Sequence, residues 1–144
     1  MAAFAPGPAG SLGYAQITGN FTTTSTTYAY VTSLGVAVTI PAGGRSVRIT
    51  GYTTQMNISA VPKQYGLAIF SGASVGTLTT QLNSATAIID TTSNGNPVIV
   101  QAVVTPAAGA ISYSLGCVSD GGGGVTTTVV ASSTAPAFIL VEGL

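Results

Sequence analysis

Short runs rich in Val, Ile, Thr and Tyr, broken repeatedly by Gly, Pro, Asn and Ser, follow one another along the chain, and no segment places apolar residues at helical spacing. Such a chain is built of strands, because β-branched and aromatic side chains suit a pleated, half-buried surface and Gly and Pro mark its turns. Strands are predicted at residues 12–18, 28–40, 45–58, 65–72, 81–90, 98–105, 111–119, 125–133 and 138–142. Alternation places Val36, Val38 and Ile40 on one face, Val47 and Ile49 inward, and Leu67 with Ile69. It also groups Ile111, Tyr113, Leu115 and Cys117. Residues 19–27 read as a polar connection or an edge strand, and residues 73–80 as a weak strand or a loop. Turns fall at 41–44, 59–64, 91–97, 106–110 and 120–124, the last being Asp-Gly-Gly-Gly-Gly.

With no helix to carry a parallel crossover, the sheets must be antiparallel. The fold class is therefore all-β: an antiparallel two-sheet jelly-roll sandwich of about 8–10 strands. An immunoglobulin sandwich fits less well, since no Trp exists and the single Cys cannot make the Cys–Trp–Cys hallmark. Residues 1–11 are rich in Ala, Pro and Gly and read as an extended N-terminal arm, with Pro6 and Pro8 forbidding a helix. Residues 12–144 form the one domain.

Charge narrows the function. The 144 residues contain three basic side chains (Arg45, Arg48, Lys63), three acidic ones (Asp90, Asp120, Glu142) and no His. Charged residues make up 4%, against about 25% in an average domain. Two explanations compete: Thr and Ser hydroxyls wet the surface, or other subunits bury it, and both are expected to operate. Three cations cannot neutralise a run of phosphates, which excludes nucleic acid and an anionic membrane surface as partners. Every apolar run is too short for a membrane helix, and a strand-built membrane barrel lacks its paired aromatic girdles. The first ten residues, without a basic side chain or a long apolar core, do not read as a secretory signal.

Catalytic groups are almost absent. Without His, acid–base work would need Asp90, Asp120 or Glu142 to meet as a carboxylate pair, yet both Asp residues sit beside turn residues where they cap the backbone. A Ser nucleophile would have only Lys63 as base, next to Pro62 in a predicted loop. No His–Cys cluster suits zinc and no acidic run suits calcium. The glycines at 121–124 lack the Lys and the helix of a phosphate loop. Cys117 reads as a small core residue. The Asn20-Phe21-Thr22 and Asn57-Ile58-Ser59 triplets are glycosylation matches that a Thr- and Ser-rich chain produces by chance. No enzyme, cofactor or metal is expected.

Four segments, LGYAQIT (12–18), VTIPAGGRSVRITG (38–51), VVTPAAGAISYSL (103–115) and TAPAFILVEGL (134–144), in this order resemble tailed-phage virion proteins common in actinobacteriophages and often described as minor tail proteins. The resemblance covers most of residues 12–144 and is weakest at 59–96. Related chains tend to end in an acidic pair after the terminal Val, where this one has Glu142-Gly143. The resemblance implies a jelly roll similar to tumour-necrosis-factor (TNF) or complement C1q heads, assembled as a homotrimer on the exterior of a particle put together in the host cytoplasm. Its partners would be copies of itself and the major capsid protein or tail proteins. The arm, with Phe4, Pro6 and Pro8, would order by lying on a neighbouring subunit. The alternative function is a head that binds a host-surface glycan, with exposed Tyr28, Tyr30, Tyr52 and Tyr65 stacking on sugars, against their packing within the sheets.

Overall fold

The computed structural model describes residues 11–60, 63–89, 95–119 and 124–144. Among them run eleven strands: β1 (Ser11–Ile17), β2 (Phe21–Thr23), β3 (Ala29–Ile40), β4 (Val47–Thr53), β5 (Gln55–Ile58), β6 (Lys63–Gly72), β7 (Thr80–Ile89), β8 (Val98–Val104), β9 (Gly109–Ser119), β10 (Thr127–Val130) and β11 (Ala137–Gly143). Sheet I has the order β1-β11-β4-β8, sheet II β3-β9-β6-β7, and a small accessory sheet β2-β10-β5. All pairings are antiparallel.

Leaving aside the three short accessory strands, the first strand pairs with the last (β1 with β11) and the second with the next to last (β3 with β9). β4 likewise pairs with β8, and β6 with β7 at the centre of the series. That nested pairing, folded over into two facing sheets, is the jelly roll. The sandwich closes along its sides, where β1 lies beside β3 and β7 beside β8. Asn83 of β7 donates to the Gln101 carbonyl at 2.6 Å, across that second seam.

The core lies between the sheets and has the expected faces. Val36, Val38, Ile40, Leu67, Ile69, Tyr113, Leu115 and Cys117 meet Val47, Ile49, Val98, Val100, Ile139 and Val141, all buried. Each large aliphatic side chain so enclosed contributes about 1.5–3 kcal/mol. At Gly51 a Cβ would stand 2.5 Å from Leu115 Cδ2 across the core, so any larger residue would have to displace that side chain. The Pro41–Gly44 turn closes with Gly44 N–H donating to the Pro41 carbonyl at 3.1 Å, and Gly43 and Gly44 take φ of +93° and +74°.

Three expectations need correction. The arm read as residues 1–11 loses its last residue, because Ser11 opens β1 opposite Glu142; residues 1–10 lie outside the described part. The single strand expected at 45–58 is two. After Thr53 the chain passes from sheet I to the accessory sheet, with the Thr53 hydroxyl hydrogen-bonded at the corner to the carbonyls of Gln55 (2.9 Å) and Val130 (3.2 Å). Lys63 opens β6, opposite Ile89, rather than lying in a loop.

Candidate functional site

The outward face of sheet I is where the sequence departs from a simple inside–outside alternation. Register sets its rows. Tyr14, Leu140, Thr50 and Gln101 lie across the four strands; Gln16, Phe138, Tyr52 and Ile99 form the next row; Glu142, Arg48 and Val103 the third. These are the side chains opposite the core set, yet Leu140, Phe138, Ile99 and Val103 among them are apolar, beside the rings of Tyr14 and Tyr52. Ile99 is 58% exposed and Val103 62%. Phe138 stands between two tyrosines, its ring centre 5.8 Å from that of Tyr14 and 5.3 Å from that of Tyr52. Burial among these neighbours pushes the Tyr14 phenol above its ordinary value.

The polar groups on this face engage one another. Tyr14 donates to Gln16 Oε1 at 2.7 Å, and Gln101 Nε2 donates to the Thr50 hydroxyl at 3.1 Å. Arg48 donates from Nε (3.1 Å) and from a terminal nitrogen (2.9 Å) to the same oxygen of Glu142. Covering the face therefore strands no lone charge, because Arg48 and Glu142 already pair. Four strands about 4.8 Å apart and six residues at about 3.4 Å each give a projected patch of roughly 400 Å². Within it Phe138 stacks between two tyrosines, and Ile99 and Val103 on β8 are exposed, which makes this face the candidate contact surface.

The outward face of sheet II differs. Its β6 glycine, Gly66, is flanked by Gln64, Thr86 and Val118 on the sheet and by Thr26 and Tyr28 from the segment before β3, which with Tyr65 line a depression of about 230 Å³. A Cβ on Gly66 would stand 3.0 Å from both the Tyr28 hydroxyl and Val118 Cγ1, so the missing side chain is what lets Tyr28 lie over the sheet. The Tyr28 ring meets Phe70 edge-on at 5.3 Å. Further along the same face, the segment between β6 and β7 covers the sheet. Gly76 N–H donates to Ser114 Oγ at 2.9 Å, and Tyr30 lies beside Gly76.

The sequence-picked residues scatter. Phe4, Pro6, Pro8, Asp90 and Asp120 lie outside the described residues. Glu142 is held by Arg48 in the outward face of sheet I. Tyr65, expected to be exposed, is 1% exposed: it sits on the core side of β6, one residue out of phase with the outward positions. Tyr28, Tyr30 and Tyr52 are half-buried and packed, Tyr52 against Phe138 and Tyr28 against Phe70. Cys117 is fully buried, and apolar surroundings push its thiol up to about 12. Of the two glycosylation triplets, Asn57 accepts from Gln55 Nε2 (2.7 Å) and Gly95 N–H (3.0 Å), and Asn20 accepts from Ala131 N–H (3.0 Å), so both amides serve the fold. Among the described residues no group of three metal-ligating side chains comes together, and no helix is long and apolar enough to cross a membrane. The residues missed are Leu140, Phe138, Ile99 and Val103. Their signal was present in VIVQAVV (98–104) and FILV (138–141), where apolar residues fill outward as well as inward positions, Gln101 excepted.

No protein-family model and no curated protein matches the chain. Several solved structures are similar in form. The C-terminal domain of EclA, a sugar-binding protein, is 9% identical over 88% of this chain and 79% of its own, with a TM-score of 0.46. A carbohydrate-binding module of Cellvibrio mixtus lichenase 5A, in complex with cellotriose, is 14% identical over 92% and 97% with a TM-score of 0.40. The Eiger TNF of S. frugiperda is 13% identical over 93% of each chain, also at 0.40.

Proposed function

We propose that the chain is a non-enzymatic structural subunit of a tailed-phage particle, a capsid decoration or minor tail component that assembles as a homotrimer on the particle exterior. The observation that carries the assembly is the outward face of sheet I, where Leu140, Ile99 and Val103 flank the stacked rings of Tyr14, Phe138 and Tyr52. Its one cation and one anion are already paired, so a second copy meets no unmatched like charge there. The tailed-phage setting and the trimer rest on the sequence resemblance.

Light scattering on the purified chain tests the assembly. A mass three times the 14.1 kDa of the chain is expected. Ile99→Lys with Val103→Lys, both at exposed positions, should give a folded monomer with an unchanged circular dichroism spectrum. A wild-type monomer at micromolar concentration would overturn the trimer. Cryo-electron microscopy of whole particles tests the setting: density on the capsid exterior or tail supports it, and its absence from the particle removes it.

A second reading, attachment to a host-surface glycan, is supported by the depression around Gly66 on the opposite sheet, which remains outward when sheet I is covered.

A further inference from the structure

Deepening the glycan-attachment reading and resting on it, we infer that the depression around Gly66 is a subsite for a single neutral pyranose ring. Three features point there. The volume, about 230 Å³, lies below the roughly 300–1,000 Å³ of sites for drug-sized ligands and suits one ring. The lining combines a phenol (Tyr28) and a Val methyl (Val118) with the amide of Gln64 and the hydroxyls of Thr26 and Thr86. That is the mixture of apolar patches and short-range donors and acceptors that a sugar ring presents in return. Among the described residues the lining carries no cation or anion, which favours a neutral ring over a phosphate, a uronate or an amine. Gly66 is a specificity element in this arrangement. Its missing Cβ leaves room for the Tyr28 hydroxyl on the sheet, and a methyl group 3.0 Å from that oxygen would shift the phenol by a few tenths of an ångström.

A site of one ring, about a dozen non-hydrogen atoms, binds in the millimolar range. Trimers with three such sites would attach to a polymer by avidity. The test is amide chemical-shift mapping on the full chain, titrated with methyl β-glucoside, methyl β-galactoside and methyl α-mannoside. Methyl glucuronide and inorganic phosphate serve as charged probes.

Saturable shifts at Thr26, Tyr28, Gln64, Gly66 and Thr86 with at least one neutral glycoside, and none with the charged probes, are expected. Gln64→Ala and Tyr28→Leu should each weaken binding at least about tenfold. Thr39→Ala, exposed at the far end of the same sheet, should leave it unchanged. Saturable shifts confined to the Tyr14–Phe138–Tyr52 face would overturn the site and leave glycan attachment standing. Preference for glucuronide or phosphate would overturn the neutral-ring assignment. No shift with any of the glycosides, together with no retention of the chain on host cells, would overturn both the site and the reading it rests on.

Discussion

At the scale of single residues, burial decides what each group can do. Cys117 is enclosed by the core, so its thiolate has no solvation and its thiol is pushed up to about 12 from 9.0. Below pH 9 the thiol is neutral in folded and unfolded chains alike and leaves stability untouched. Between pH 9 and 12 the unfolded chain gives up a proton that the folded chain keeps, so stability falls as pH rises, by up to about 4 kcal/mol. Urea titrations at pH 8 and pH 11 should show the loss, and Cys117→Ala should reduce it. The part that remains belongs to phenols such as Tyr113, which burial also raises. A thiol reagent at pH 8 should leave the native chain unlabelled and react once urea unfolds it. The core role of Cys117 was legible because Ile111, Tyr113 and Leu115 share its alternation. The burial of Tyr65 was legible too, because it shares the phase of Leu67 and Ile69 on β6, and the expectation that it is exposed went against that alternation.

At the scale of elements, alternation located the long strands but not the places where one strand serves two sheets or bulges. In β3 the register slips between Tyr30 and Gly35, against Gly116 and Ser114 on β9. The extra residues let Val31 and Leu34 both turn into the core, and Ser33 takes a φ of +70°, a conformation L residues seldom adopt. Nothing in TSLG (32–35) marks that irregularity except the glycine. Strand β11 holds a central place, between β1 and β4, and inserts Ala137, Ile139 and Val141 fully into the core. The two larger of these are worth about 3–6 kcal/mol together, comparable with the whole stability of a small domain at about 5–15 kcal/mol. Deletion of residues 137–144 should therefore leave a chain with no cooperative thermal transition in calorimetry, rather than a weakened sandwich.

At the scale of the whole molecule, the two sheets present unlike outer surfaces: sheet I apolar and aromatic, sheet II studded with hydroxyls around Gly66. The jelly-roll class was legible in strand number and turn chemistry. The division of labour between the two surfaces was not, because it depends on which strands become neighbours, and β4, β8 and β11 lie far apart in the chain. An assembly held by sheet I should draw on apolar burial more than on charge, since one partly exposed ion pair contributes at most about 1 kcal/mol. The oligomer should persist in molar sodium chloride and in sulfate, which strengthen apolar association; dissociation by salt, seen in sedimentation velocity, would assign it to charge instead. The nested pairing also governs the order of events during synthesis. Because β11 fills the gap between β1 and β4, sheet I stays open on the ribosome until the last of its strands emerges. The outward face of sheet I, the surface proposed to join one copy to another, is thus completed only once β11 has emerged, and a product truncated before β11 would have no finished surface with which to enter and spoil an assembly.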